Sequence, residues 1–315
     1  MGVGLDLSPA ARALRFDREH ARSLRALAYR MLGSRAEAED MVQEAWLRWA
    51  EVDEGQVLHA GAFLSRLLTH LCLDRLKSAA ARRELYVGTW LPEPLVDGEA
   101  EAWSPGPEAR SEWAQDVSMA FMLTLERLTP LERAAFLLHD VFELDFDEVA
   151  ARLQRSPAAC RQLASRARGH VKAGYARVEV QQEERQRLLA AFAGALMQGD
   201  VEALAQVLAE DAVLLSDGGG RVHAIPHALR GAARIAKALV GFGKGLELSQ
   251  FQVRAAEVNG LPGYLVFQAD GTPLQAVALA PAAEPGKLGA VYIVRNPEKL
   301  KSLRAANLSD PGPPH

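Results

Sequence analysis

Between Pro157 and Lys172 the chain concentrates cations and hydrogen-bonding side chains. At ~100° per residue of an α-helix, Arg161, Ser165, Arg168 and Lys172 fall on one stripe. Leu163, Ala167 and Val171 lie roughly opposite. Arg155, Ser156, Gln162 and Arg166 add further donors, and no acidic residue occurs between Arg155 and Arg177. A solvated helix face mixes signs, so a one-sign run is better matched to an anionic polymer. Arg161, Gln162 and Ser165 sit on the early turns, which reach base edges in the major groove. Arg168 and Lys172 are placed for phosphates. A second basic run spans Arg66 to Arg83, with Arg66, His70 and Lys77 sharing a face. Arg75, Arg82 and Arg83 add charge against Asp74 alone, and phosphate contact is the natural chemistry of such a run.

These residues need elements to hold them. Leu24, Leu27, Ala28 and Met31 recur at helical spacing until Gly33-Ser34 breaks the run. Met41, Ala45, Trp46 and Trp49 form a second apolar stripe, and Phe63, Leu64, Leu67, Leu68 and Leu71 a third. Both tryptophans read as core rather than as a platform for bases. Thr129-Pro130-Leu131-Glu132 has the form of a capped helix start. Asp145 with Glu148 starts another helix, and Ser156-Pro157 a third. A short amphipathic helix, a tight turn and the basic helix make a helix-turn-helix.

Composition bounds the rest. A chain of 315 residues with net charge −4 suits several domains, and its charge distribution says more than its sum. Cys72 and Cys160 form no CxxC or CxxH pair, so neither a metal site nor a disulfide framework is expected. No cofactor is implied. No apolar run could span a bilayer, which predicts a cytoplasmic protein without membrane partners.

The organisation reads as a helical domain over residues 1–85 and an extended, acidic, proline-rich linker over 86–112. A helix-turn-helix domain follows over 113–177, an α+β domain over 178–305 and a tail over 306–315. In the α+β domain a helix (Glu183 to Gln198) and a shorter one capped by Asp200 precede a strand at Ala212–Ser216. Asp217-Gly218-Gly219-Gly220 turns the chain, and Arg221–Ile225 returns as its partner. Another helix and strand-like runs around Leu246–Val258, Tyr264–Gln268, Leu274–Leu279 and Ala290–Val294 predict an antiparallel, curved sheet. Its polar residues Asp217, Arg221, His223, His227 and Tyr264 form no recognisable acid–base pair. Pro226 argues against one continuous helix through His223 and His227, and the glycine turn lacks the Lys-Ser/Thr of a phosphate loop. Catalysis is not expected.

The blocks carry a resemblance in their order. The stretch from Gly33 to Trp46, including Asp40, Gln43 and Glu44, resembles the polymerase-binding helix of sigma-70-type factors. Phe63 to Lys77, ending Leu73-Asp74-Arg75-Leu76-Lys77, is similar to the promoter-melting segment of extracytoplasmic-function (ECF) sigma factors, and the helix-turn-helix resembles their minus-thirty-five reader. Trp90-Leu91-Pro92-Glu93-Pro94, Asp217-Gly218-Gly219-Gly220-Arg221 and Asn296-Pro297-Glu298-Lys299-Leu300 resemble the subgroup with a SnoaL-like (NTF2-like) C-terminal extension. Many members have asparagine at His70, a position associated with capturing an unstacked minus-ten base, and aspartate at Glu298. The resemblance implies two all-α sigma-type domains and an α+β regulatory domain. The implied partners are core RNA polymerase and promoter DNA, through Asp40, Gln43 and Glu44 for polymerase. An apolar tryptophan block in an acidic linker needs a partner surface, so it is expected to dock on the glycine turn, with Arg221 facing Glu93 and the block at residues 296–300 completing the contact. A ligand-responsive helix-turn-helix regulator, with a small molecule in the C-terminal domain, is the alternative reading.

Overall fold

The computed structural model describes residues 9–84, 86–105, 113, 116–175, 178, 180–243 and 248–303, and their side chains except those of 9, 79–84 and 248. The chain separates into two compact units. One comprises residues 1–84 and 99–176, the other residues 85–98 and 177–315.

The first unit is all helical. Helix α1 (Pro9–Phe16) runs through a π turn (Asp17–Ala21) into α2 (Arg22–Leu32), which ends at Gly33 with φ 67°. Glycine suits that left-handed cap because it has no Cβ to clash. Ser34 then caps α3 (Arg35–Ala50), accepting a hydrogen bond from the Glu37 amide. The buried face of α3 is Ala38, Val42, Ala45 and Trp49; Met41 and Trp46 are only half-buried, Trp46 packing on Phe16 and Trp49 on Phe63. Helix α4 (Ala60–Glu84) buries Leu64, Leu68, Cys72, Leu73 and Leu76, while Phe63 stays partly exposed. Short α5 (Glu99–Ala102) and α6 (Met119–Glu126) follow. Helix α7 (Pro130–Phe136) begins with the Thr129–Glu132 capping box and continues as a π turn (Leu137–Val141). Helix α8 (Phe146–Leu153) has its own box, Asp145–Glu148, and ends at left-handed Gln154; Ser156 caps α9 (Pro157–Gly174). All three helix starts read from the sequence are thus present, each closed by a side chain that satisfies an orphan amide.

The second unit packs α10 (Gln182–Gln198), α11 (Val201–Val207, capped by Asp200) and α12 (Ala232–Gly243) on a six-stranded sheet ordered β2-β1-β6-β5-β4-β3. The strands are β1 (Leu208–Asp217), β2 (Leu229–Arg230), β3 (Phe251–Val258), β4 (Leu261–Gln268), β5 (Pro273–Pro281) and β6 (Leu288–Val294). Two expectations are corrected. Arg221–Ile225 is not a strand; the short partner of β1 is Leu229–Arg230. The sheet is not wholly antiparallel, because β1 and β6 pair in parallel, with Leu214 opposite Val291. In sequence β2, α12 and β3–β5 lie between β1 and β6, so no local cue specifies their relative direction.

The helices cover one sheet face, burying Phe192, Leu204, Ile235 and Leu239 against Leu214, Val277, Val291 and Ile293. By strand alternation the opposite face carries Leu265, Phe267, Ala276, Ala278, Tyr292 and Val294, all buried although none belongs to the helix-side core. The same unit buries Leu91, Pro92, Glu93, Pro94 and Leu95, with Val96 bridging to Val258 and Asp97 pairing with Arg254. Residues 86–98 are therefore extended but not a free linker: they are built into the α+β unit, and α5 already belongs to the helical one. The tail at 306–315 lies outside the described residues. Leu91→Ala is expected to destabilise the α+β unit by about 2–4 kcal/mol, the cost of truncating a fully buried leucine. Chemical denaturation reads this, and a change below ~0.5 kcal/mol contradicts the placement of Leu91.

Candidate nucleic-acid interface

Helix α9 turns one face to the core and the other to solvent. Cys160, Ala164, Ala167 and Val171 are buried, whereas Arg155, Ser156, Arg161, Gln162, Ser165, Arg166 and Lys172 are exposed. The tight turn at Gln154 lets α8 pack across α9. The Arg161 guanidinium lies 5.7 Å over the Phe146 ring, which orients it without neutralising it. Two cations differ from the sequence expectation. Arg166 pairs with Glu132 at 2.7 Å and Arg168 with Asp140. Arg166 holds the Glu132 carboxyl below its usual range, with Thr129 adding to the effect. A stretch without acids in sequence thus finds them in space, supplied by α7 and the π turn after it. The outward cations along α9 are Arg161 and Lys172, with Arg155 at the preceding turn.

On α4, Arg66 and Lys77 are exposed, Lys77 in an exposed pair with Asp74. Arg75 is engaged by Glu37 of α3 at 2.8 Å, so its charge serves packing of α3 on α4. His70 is half-buried, and its Nε2 is buried with no hydrogen-bond partner. The side chains of Arg82 and Arg83 lie outside the described residues. Asp40 and Gln43 are exposed on α3, and Glu44 pairs with Arg48 at 2.8 Å. Leu47, 53% exposed, shares their face, being seven residues from Asp40 and four from Gln43. Sequence reading passed over Leu47. Its signal is an apolar residue out of phase with the buried stripe of Ala38, Val42, Ala45 and Trp49.

The three blocks expected to meet in the α+β unit do meet, around one carboxylate. Asp217 closes β1 with no exposed surface. One oxygen accepts from the Tyr86 hydroxyl (2.5 Å) and the Gly219 amide (2.9 Å). The other accepts from the Leu91 amide (2.9 Å) and Lys299 (2.7 Å). The Lys299 ammonium also donates to the Leu91 carbonyl and stands 4.1 Å over the Trp90 ring and 5.3 Å from that of Tyr86. Burial, then its bond to Asp217, pushes the Tyr86 phenol well above its usual range, so it stays a donor. Asn296 caps the 3₁₀ turn Pro297–Leu300 that aims Lys299, and donates to Tyr86 at 2.9 Å. At Gly219 a Cβ would lie 2.4 Å from the Asn296 side chain, and at Gly218 the same distance from the Val222 carbonyl, which explains glycine at both. Arg221 makes its ion pair with Glu298, at 3.0 Å; the cation that meets the tryptophan block is Lys299.

A groove of about 780 Å³ runs between α10 and α11, and Asp217, Arg221, His223, His227 and Tyr264 do not line it. Among the described residues no group of three metal-ligating side chains occurs, and no helix is long and apolar enough to cross a membrane.

Family models match both helical modules: sigma-70 region 2 over residues 16–82 and sigma-70 region 4 over residues 118–171. The chain is 38% identical to the ECF RNA polymerase sigma factor SigJ of Mycobacterium tuberculosis, over 90% of this chain and 93% of that one. It is 32% identical to the probable ECF sigma factor SigI of the same species, over 91% and 94%. The crystal structure of M. tuberculosis SigJ superposes with a TM-score of 0.68 at 34% identity, covering 92% of this chain and 98% of that one. Capped helix-turn-helix, region 2 bundle and near full-length similarity agree, and the chain belongs to the ECF RNA polymerase sigma factors.

Proposed function

We propose that this chain directs core RNA polymerase to specific promoters, and that its α+β unit governs this activity by gripping the connector between the two helical modules. The observation that carries the first part is the outward face of α9, where Arg161, Gln162 and Ser165 are exposed on the first turns of a helix whose opposite side is core. In this reading α9 enters the major groove at the minus-thirty-five element, with Arg155, Ser156 and Lys172 on flanking phosphates. Arg66 and Lys77 of α4 meet the minus-ten region, where His70 captures a base. Asp40, Gln43 and Leu47, with Glu44 behind them, form the surface for polymerase. Arg75, Arg166 and Arg168 have positioning roles through Glu37, Glu132 and Asp140.

The second part rests on the Asp217 hub. Residues 86–98 continue at one end into α4 and at the other into α5, so fixing them fixes the tether between the minus-ten and minus-thirty-five readers. A tether of defined length sets whether both elements are engaged together. Catalysis has no part in this reading, and no small-molecule ligand is required by it.

Two experiments test these assignments. In transcription with core RNA polymerase on a pool of randomised promoters, Arg161→Ala is expected to lose about 1–3 kcal/mol of discrimination at one base position. Lys172→Ala should weaken all templates alike and lower the salt dependence by about one counterion. Unchanged preference in Arg161→Ala contradicts the docking of α9. For the hub, Asp217→Asn removes the buried carboxylate that pairs with Lys299 at 2.7 Å, which should cost about 3–5 kcal/mol of α+β stability and alter promoter output. A variant unfolding like the parent and transcribing like the parent removes the hub from the mechanism.

A further inference from the structure

The six-stranded sheet ends differently on its two sides. At one edge stands β2, only Leu229 and Arg230, too short to take a further strand. At the other stands β3, paired to β4 without a register shift from Phe251–Gln268 to Val258–Leu261. It carries no proline, no lysine and no bulge, the devices that usually blunt such an edge.

The hairpin fixes which backbone groups of β3 face outward. Asn259 (φ 51°) and Gly260 (φ 72°) form a two-residue turn, so Val258 and Leu261 are a hydrogen-bonded pair. Counting back by twos, Ala256, Arg254 and Gln252 bond to β4. Glu257, Ala255, Val253 and Phe251 turn their amides and carbonyls away from it. The connector already uses the first of these. The Glu257 carbonyl accepts from the Asp97 amide (3.0 Å), and the Glu257 amide donates to the Asp97 carboxylate (3.1 Å). The next three are open. Among the described residues, the only bond to their outward groups is a long one, 3.4 Å, from Arg254 Nη1 to the Ala255 carbonyl. Val253 is 61% exposed, and Ala255 is exposed as well.

This open window runs from Phe251, where the 3₁₀ turn Leu248–Gln250 ends, to Ala255, just before the connector takes the edge. Its midpoint is Val253. A two-fold axis there sets Val253 opposite the Val253 of a second copy, and Phe251 and Ala255 opposite that copy's Ala255 and Phe251. Each of the three pairs exchanges two bonds, and every outward group of the window is used. Through the β3–β4 register these side chains share the face of Tyr264 and Val266, so apolar surface continues across the seam. On the other face Arg254, whose Nε is buried without a hydrogen-bond partner, meets the second copy's Gln252, which offers a carboxamide oxygen. Moving the axis by one residue is worse in either direction. Centred on Arg254, it opposes two arginines and needs Glu257, which the connector holds. Centred on Gln252, it needs Ser249, which lies in the 3₁₀ turn.

We propose that two copies of this chain associate through β3, in antiparallel register about Val253. The window is complementary to itself in length, polarity and side-chain character, and a second copy is the occupant that meets all three. The seam falls below the ~1,200 Å² of a standard interface, so association is reversible, at about 10–100 μM.

Sedimentation equilibrium of the full chain from about 1 to 300 μM tests this. The parent should pass from monomer to dimer. Val253→Pro removes an outward N–H and spares every bond to β4, a change that an edge strand tolerates on its solvent side. It should weaken association at least about tenfold. Val253→Lys keeps the backbone donor and sets like charges opposite each other, with the same expected loss, so the test survives a proline variant that fails to fold. Mild oxidation reads the register. Val253→Cys should form an intermolecular disulfide, since Cα atoms of a hydrogen-bonded pair lie about 5.5 Å apart. Ala255→Cys should not, its two copies being displaced by four residues, about 13 Å along the strand. Cys72 and Cys160 are buried and do not compete. A parent that stays monomeric over this range overturns the proposal, and protection of the Val253 amide from exchange only with core polymerase present would give the edge to that partner instead. Parent-like association in both Val253→Pro and Val253→Lys overturns it too, because the dimer then uses another surface. Equal crosslinking of the two cysteine variants rejects the axis at Val253.

Discussion

A carboxylate without solvent contact must be satisfied by what surrounds it, and Asp217 draws its partners from three distant parts of the chain. Tyr86 and Leu91 come from the connector, Gly219 from the turn that follows β1, and Lys299 from the segment after the last strand. Removing a charge partner in such a place costs more than the pair itself contributes, because the survivor is left unpaired out of water. This interaction therefore gives the connector one register on the sheet, since any other leaves buried polar groups unsatisfied. The Leu91 amide and carbonyl are both taken, by Asp217 and Lys299, so sliding the connector by one residue would break both bonds and move Leu91 out of its buried position.

The same anchoring gives the sheet its second cover. One face has three helices; the other has buried aromatic and aliphatic side chains, and the unit buries Leu91 and Leu95 of the connector with Leu300 and Leu303 of the C-terminal segment. The α+β unit is thus discontinuous in sequence, drawing residues 86–98 from between the sigma-type modules. That connectivity joins the end of the chain to its middle within one compact unit. A cut after Arg177 would remove the sheet and also strip the connector of its apolar surroundings, so its effect on transcription combines two changes.

Helix starts were legible in the sequence at Thr129, Asp145, Ser156 and Asp200, where a side chain completes the cap within three residues; the caps at Ser34 and Ser118 were not read. The buried stripe of α2 was legible too. What escaped was set by pairing across long separations. Arg168 and Arg166 read as unpaired cations because Asp140 and Glu132 lie 28 and 34 residues away. The parallel pairing of β1 with β6 has no local signature, and the short β2 fell eight residues from where the turn pointed. The tryptophan block was expected to need a partner surface, and the cation over the Trp90 ring is Lys299 where Arg221 was expected. Arg221 is next to the glycine turn in sequence, whereas Lys299 is aimed by the Asn296 cap, which only the fold reveals.

The central claim is that the connector is part of the α+β unit, held by Asp217. Amide hydrogen exchange of the full chain tests it directly, since exchange reports the free energy of opening segment by segment. The Leu91 and Leu95 amides, bonded to the side chains of Asp217 and Asn259, should be protected as strongly as the strands β4 and β5. In Asp217→Asn the protection at Leu91 should fall while that of α9 is unchanged. Exchange of residues 86–96 in the parent at the rate of an unstructured peptide would contradict the account.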